Sequence, residues 1–578
     1  MRYELISQRT EASAIEQILV NRGILSEDIE HYLNTRNCDI LDPSSIENIG
    51  EGAKLLISHI SRNNKIHIQV DSDADGYTSA ALLINYLNTL FPAFTKNNIS
   101  YSLHKGKQHG IDLQALDLSK ISLVIAPDAS SNEYEIHQCL KEQGIDILVI
   151  DHHEAERYSE NACVINNQLC DYPTKSLSGV GMVYKFCCYL DELLGRRHAE
   201  KFLDLVAVGL VSDMMDLRDF ETKHLISLGL KNIKNPFLRR MVAKQEFSLG
   251  KELTPIGVAF YIAPFINAVT RSGTVEEKTL LFESMLDFKG FEEIPSTKRG
   301  DFGSTETRAE QACRNCVNIK NRQGNARDSG LETIENLIEE NNLLDNKILV
   351  VTLDENNAIE RSLAGLIANQ LMAKYQKPTL ILSLTKHDEE IWWEGSGRNS
   401  ERSSLEDLRG YLDSTGLVEY AEGHSSAFGI GIKDENLNAF IRKINRDLKD
   451  YDFTPKYYVD FIYDGKSVDE LEILSIGEYK SLWGQCVSEP LVVIENLPIS
   501  GKGVQLLKRN TLKISLPLKN GLSLIKFGSS EEEYNDLYSE LGCVTINVLG
   551  RCEKNSYDDK PQIKIVDYEI IRRTAYYF

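Results

Sequence analysis

A chain of 578 residues, 42% apolar and 26% charged, is expected to fold around ordinary hydrophobic cores in two to four domains. Asp and Glu number 86 against 64 for Lys and Arg, so the net charge of −22 excludes a generally basic DNA-coating protein and leaves nucleic-acid contact to local patches. No apolar run approaches the ~20 residues of a membrane span, the opening MRYELISQRTEASAIEQIL lacks a signal-peptide core, and 11 scattered cysteines do not suit a small secreted framework; a cytoplasmic protein with reduced thiols and no membrane partner is expected.

The first 60 or so residues carry helical periodicity, as in AIEQILVNRGIL and GAKLLISHISRN. Short apolar runs then alternate with helical segments: KIHIQV before Asp71, LVIAP before Asp128 and DILVI before Asp151, with TSAALLINYLNTL between the first two. This alternation predicts an α/β domain with a mostly parallel sheet over 1–296, including the helical amino-terminal region. The polar stretch 297–342, with TRAEQACRNCVNIKNR and LETIENLIEENN, reads as a connector helix. Its Cys313-Arg-Asn-Cys316 has no second Cys or His pair at zinc-binding spacing and reads as plain helix. A second α/β domain is expected over 343–450 from KILVVTL, RSLAGLIANQLMAKY and PTLILSL. Over 451–578, about five short strands (PLVVIENL, TLKISLPL and LSLIKFG among them) suggest a small OB-like β-barrel.

The chemistry concentrates where apolar runs end. Asp71, Asp73 and Asp75 follow KIHIQV, Asp128 follows LVIAP, Asp151-His152-His153 follow DILVI, and Asp213 closes LVAVGLVSDMMDL, a segment that reads equally as helix or strand. Ligands of open α/β sheets bind outside the carboxyl ends of strands, so these groups are expected to converge. One acid after one strand is explained by a helix cap and one His pair by core packing, but several such endings together point to a metal site. Carboxylates mixed with imidazole favour Mn²⁺, with Mg²⁺ as a substitute, and so many ligands suit two ions rather than one. The implied reaction class is metal-assisted phosphoester hydrolysis.

With these residues in view, the chain resembles the DHH phosphoesterase superfamily, named for the triplet Asp151-His152-His153, and within it the RecJ single-strand-specific exonucleases. The likeness extends over LVNRGI, the DxDxDG stretch, SLSGVGMVYKF, DLVAVGLVSD, PFINAVTRSG, Gly395-Ser396-Gly397-Arg398 and Gly423-His424-Ser425-Ser426-Ala427-Phe428-Gly429, in the family's order. The resemblance implies that Asp73, Asp75, Asp128, His152, His153 and Asp213 ligate or flank two Mn²⁺ ions, with Asp71 and Asp151 completing the reaction centre. It implies that Ser396, Arg398 and Arg271 engage DNA phosphates, with Asn267 and His424 nearby. The activity implied is 5′→3′ hydrolysis of single-stranded DNA to 5′-mononucleotides in repair or recombination. The 343–450 region would be the DHH-associated domain, facing the first across a groove too narrow for duplex. Expected partners are single-stranded DNA and, to deliver it, a single-stranded-DNA-binding protein or a helicase.

The chain also departs from the family pattern. His104-Lys105-Gly106-Lys107-Gln108-His109-Gly110 stands where a Pro-x-Arg is usual, placing Lys105 and Lys107 where an arginine would meet the terminal phosphate. MMDLRDFETK follows Asp213, and Trp483 to Pro490 replaces a Gly-Asn-Pro turn. Positive patches for a strand are sought at Lys231, Lys234, Arg239, Arg240 and Lys244, and along the connector from Lys298 to Arg327. Tyr457, Tyr458, Trp483 and Phe527 are the aromatics considered for base stacking. Two other readings compete: a phosphodiesterase for short oligonucleotides or cyclic dinucleotides, whose superfamily relatives lack the terminal barrel, and a replisome scaffold, against which the intact ligand set argues.

Overall fold

The structure is a computed structural model describing residues 1–106, 108–300, 303–387, 390–400, 403–538 and 542–575. In the amino-terminal part, strands β1 (Ile66–Val70), β2 (Ile99–Leu103), β3 (Leu123–Pro127), β4 (Asp146–Asp151) and β5 (Cys163–Asn166) form a sheet in the order β2-β1-β3-β4-β5. Every neighbouring pair is parallel. The apolar strings IHIQV and LVIAP are buried at every position, the pattern of a parallel strand covered on both faces. The chain order reverses between β1 and β3, and it is there that ligands of such sheets bind.

Helix α1 (Ala74–Leu90) starts directly beyond β1, and nearly all of it is buried. It packs against α2 (Gly179–Leu194) and α3 (Leu203–Ser212), and a helix with neighbours all round carries small and apolar residues on every face, as TSAALL does. Helix α3 resolves the ambiguity of LVAVGLVS: the run is helix, with Asp213 as its carboxyl-terminal cap. There follow α4 (Phe220–Lys231), α5 (Pro236–Lys244), α6 (Glu246–Leu249), α7 (Pro255–Tyr261) and α8 (Ala263–Ser272).

A hairpin of Glu293–Pro295 with Thr305–Thr307 leads into the expected long helix, α9 (Arg308–Glu340). Cys313 and Cys316 are buried on it, and burial pushes both thiols up, Cys313 to about 11, as apolar packing of a plain helix requires. Strands β6 (Leu349–Leu353), β7 (Thr379–His387), β8 (Glu390–Arg398), β9 (Tyr420–Gly423) and β10 (Ala427–Lys433) form a sheet ordered β9-β10-β8-β7-β6, parallel only between β6 and β7. Helix α10 (Arg361–Tyr375) packs on β7 and β8.

Strands β11 (Phe461–Asp464), β12 (Val492–Ser500), β13 (Val504–Leu507), β14 (Thr511–Ser515), β15 (Ser523–Phe527), β16 (Gly542–Lys554) and β17 (Pro561–Ala575) make a seven-stranded sheet ordered β11-β12-β16-β17-β15-β14-β13. It is OB-like and mixed, with β15 and β17 parallel, but β11 and β13 remain as edges, so the expected barrel does not close. By compactness the chain divides into one unit of Met1–Gln8, Asn321–Ile462 and Asp567–Glu569, and another of Arg9–Lys320, Tyr463–Val566 and the described residues from Ile570. No helix among the described residues is long and apolar enough to cross a membrane.

Helices α2 and α4 are joined by a buried ion pair. Lys185 Nζ lies 2.7 Å from Glu221 Oε1, both side chains fully enclosed, and Tyr172 donates its hydroxyl to the same carboxylate at 2.8 Å. Lys185 also donates to the Leu41 carbonyl, which ties in the amino-terminal segment. Removing one partner strands the other charge, so Glu221→Ala is expected to lower unfolding free energy by about 3–5 kcal/mol in denaturant titration, and the double change Lys185→Met/Glu221→Leu by clearly less.

Candidate metal centre

The ends of β1, β3, β4 and α3 bring the acids and histidines together. Asp71 follows β1, Asp73 caps α1 by accepting from the Gly76 amide at 3.0 Å, and Asp75 lies in the helix's first turn. Asp128 follows β3 in the left-handed region at φ +67°, held there by its amide donating to the Ile150 carbonyl at 2.8 Å. A side chain at position 179 would stand 2.3 Å from Asp128, so only glycine lets the start of α2 close over that carboxylate. Three overlapping sets result, each with ligand atoms within 4.8 Å of one another: Asp128, Asp151, His152 and His153; Asp75, His152 and Asp213; and Asp71, Asp73 and Asp128.

The hydrogen bonding divides these groups by role. Asp151 is saturated: its Oδ1 accepts from the His152 amide at 2.7 Å and from His153 Nδ1 at 2.8 Å, and its Oδ2 from the Ser131 amide at 3.0 Å. Burial alone would raise this carboxyl, but the hydrogen bond from His153, the charge of that imidazolium and the Ser131 hydrogen bond outweigh it and hold Asp151 well below the usual carboxylate range. His153 is raised in turn to about 9 by that hydrogen bond. Asp75 Oδ1 accepts from Ser178 Oγ at 2.9 Å and the Val180 amide at 3.3 Å. In contrast, Asp75 Oδ2, Asp128 Oδ1 and His152 Nε2 are buried with no hydrogen-bond partner among the described residues.

Burial, then the charge of Asp73, pushes Asp75 up to about 7; burial, then Asp75 and Asp73, pushes Asp213 up to about 8; and burial with the same neighbours raises Asp128 well above the ordinary range. Burial lowers His152 to about 4, so its ring is neutral. His152 Nε2 lies 3.2 Å from Asp128 Oδ1 and 3.3 Å from Asp213 Oδ2, distances that suggest an ion pair, yet burial discharges the ring. A neutral imidazole nitrogen crowded by carboxylate oxygens it does not bond is a ligand set for a divalent cation.

Residues 65–210 match the family model described as DHH family, N-terminal domain. Over 580 aligned positions, covering 99% of each chain, the protein is 38% identical to the putative SPbeta prophage-derived single-strand DNA-specific exonuclease YorK of Bacillus subtilis. The chain belongs to the RecJ-like branch of the DHH family. It is 27% identical to the single-stranded-DNA-specific exonuclease RecJ of Bacillus subtilis over 96% of this chain and 67% of that one. The crystal structure of RecJ with Mn²⁺ from Thermus thermophilus superposes over 98% of this chain and 79% of that chain, with a TM-score of 0.67 at 20% identity, and so shares the fold.

The remaining candidate residues of this RecJ-like chain lie on other elements. Asn267 on α8 accepts from the Ala74 amide at 3.0 Å, so its side chain fixes the start of α1. Arg271, one turn on, is exposed and forms no ion pair among the described residues. Ser396 and Arg398 lie on one face of β8, where α10 has Gly365; a side chain there would stand 2.4 Å from Arg398 Nη2. Arg398 is half-buried, donates to the Gly397 carbonyl at 2.6 Å, and has no carboxylate partner among the described residues. His424 is exposed in the turn between β9 and β10. The Lys105 carbonyl accepts from Lys278 at 2.9 Å, whereas Lys107 lies outside the described residues. On the connector, Arg308 pairs with Glu283 and Glu292, and Arg314 with Glu306. Tyr457 and Trp483 are buried, leaving Tyr458 and Phe527 as the exposed members of the stacking set.

Sequence reasoning missed His109, whose Nδ1 is 2.7 Å from Asp71 Oδ2, and Asn166, which donates to Ser131 Oγ and the His153 carbonyl, both at 2.9 Å. The sign of the pH dependence follows from the raised carboxyls. Without metal, folded Asp75 and Asp213 keep protons that the unfolded chain loses near pH 4, so stability falls as pH rises toward 8. A cation replaces those protons, so the gain in Tm on adding Mn²⁺ to chelator-treated protein is expected to be larger at pH 8 than at pH 5.5. An equal gain at both would contradict the assignment.

Proposed function

We propose that the chain hydrolyses phosphodiester bonds of single-stranded DNA from the 5′ end, releasing 5′-mononucleotides, with two divalent cations held by Asp73, Asp75, Asp128, His152, His153 and Asp213. The observation that carries this reading is the set of buried, unpartnered ligand atoms on Asp75, Asp128 and His152 at the sheet's switch point. The names of the relatives, single-strand-specific exonucleases along nearly the whole chain, support the substrate, and the 5′ polarity is what the resemblance of the motifs to the RecJ family implies. Mn²⁺ is the preferred ion and Mg²⁺ the substitute, because imidazole stands among the carboxylates.

Cations bound there would polarise a phosphoryl oxygen and lower the pKa of water toward neutrality. The chain's own groups orient that chemistry. Asp151 accepts from His153 Nδ1 and so leaves Nε2 as the ligating nitrogen, while His109 and the Gly110 amide hold Asp71 in place behind Asp73. Ser396 and Arg398, with Arg271, are assigned to backbone phosphates; a half-buried guanidinium with no carboxylate partner among the described residues is suited to a bidentate phosphate contact.

Digestion of a long single strand labelled at either end tests the reading. Mn²⁺-dependent release of 5′-labelled mononucleotide, abolished by chelator and lowered about a thousandfold or more by Asp128→Ala, is expected, with duplex left intact. Hydrolysis of dinucleotides with the long strand untouched would replace it with the short-substrate alternative. Arg398→Lys keeps the charge but loses the planar fork, and kcat/KM is expected to fall about tenfold or more.

A further inference from the structure

In a chain of net charge −22, surplus positive charge on one surface needs an explanation. Helices α4 and α7 border a groove of about 670 Å³ whose lining includes Lys223, His224, Lys231, Lys251 and Glu252. A neighbouring groove of about 450 Å³ shares Lys251 and Leu253 with it and adds Arg239 and Glu246. Lys231, Arg239 and Lys251 are exposed and form no ion pair among the described residues, whereas Arg240 is neutralised by Glu310 at 3.0 Å. Lys223 is buried, its ammonium against the Tyr32 carbonyl and 4.4 Å from that ring's centroid, with no carboxylate among the described residues in ion-pair reach.

The second groove runs to α6, where Glu246 and Leu249 line it and Phe247 between them is 85% exposed. A phenylalanine so exposed contributes nothing to a core, and an isolated one would need no comment. This one is met by Arg509, from the turn between β13 and β14, whose guanidinium lies 5.6 Å from the ring centroid. Unpaired cations along a groove that ends on an open aromatic ring match a flexible polyanion carrying stackable rings, and base pairing in a duplex would bury those rings.

We propose that the joined grooves and the Phe247–Arg509 pair form a second single-strand site, separate from the metal centre, in which phosphates follow Lys231, Lys251 and Arg239 and a base stacks on Phe247. The proposal rests on the exonuclease reading for its ligand. Such a site holds a strand at a distance from the reacting end and gives an acidic protein the cationic contacts that binding a strand requires.

The test is fluorescence anisotropy with a labelled thirty-nucleotide oligothymidylate in chelator, where nothing is cut, comparing the wild type with Phe247→Ala and with the triple change Lys231→Glu/Arg239→Glu/Lys251→Glu. Thermal melts report that the variants are folded. The triple change is expected to weaken binding at least tenfold and to flatten the slope of log affinity against log salt by about 2, since each neutralised single-strand phosphate contributes about 0.7. Phe247→Ala, a surface change that leaves the core intact, is expected to weaken binding about fivefold or more without altering that slope. Wild-type affinity and slope in both variants would overturn the proposal. So would displacement of the strand by polyglutamate with Phe247→Ala behaving as wild type, which would make the grooves a site for acidic polypeptide. If the wild type binds the strand through these residues yet never digests it, the exonuclease reading fails and this site stands.

Discussion

Mutual repulsion among buried carboxylates is the constraint on which the catalytic half of this molecule depends. At separations of 4–5 Å and an effective dielectric constant near 20, each pair of ionised acids costs about 3–4 kcal/mol. Asp71, Asp73, Asp75, Asp128 and Asp213 crowd one crevice, so their full ionisation would rival the 5–15 kcal/mol that holds a typical domain together. The metal-free fold answers by keeping protons on Asp75, Asp128 and Asp213 and by discharging His152. Both responses leave Asp75 Oδ2, Asp128 Oδ1 and His152 Nε2 facing a shared space with no hydrogen-bond partner among the described residues.

The scaffold must hold that unfavourable arrangement rigidly. Parallel strands buried on both faces deliver Asp71, Asp128 and Asp151 at their carboxyl ends, and backbone hydrogen bonds fix each position before any side chain contributes. Asp128 is kept in a left-handed conformation by its amide, and α2 can close over it only because residue 179 has no side chain. Asp151 illustrates the opposite solution: saturated with donors, it stays ionised and positions both histidines rather than serving as an open ligand.

Much of this was legible in the sequence because parallel strands buried on both faces run largely apolar, so KIHIQV, LVIAP and DILVI mark both the sheet and the points where polar groups leave it, with His67 and Gln69 tolerated inside the first strand by their hydrogen bonds to Ser100 and Ser102. The run LVAVGLVS could not be assigned, since a segment enclosed on all sides carries no period. The strand order and its reversal between β1 and β3 are properties of tertiary packing. His109 reaches Asp71 across 38 positions and Asn267 reaches Ala74 across 193, contacts that no local pattern announces. Tyr457 and Trp483 are interchangeable with Phe527 in the chain, and only burial separates core rings from open ones. The closure expected of the terminal barrel failed for a related reason, because strand number and spacing do not specify whether the two edge strands meet.

Calorimetric titration of Mn²⁺ into chelator-treated protein at pH 7.5, repeated in two buffers of different ionisation enthalpy, measures cation affinity and proton release together. Saturable binding with release of protons from the crevice, sharply weakened by Asp128→Asn, is the expected result. Binding without proton release, or binding that survives Asp128→Asn unchanged, would contradict a site organised around carboxylates that a cation must discharge.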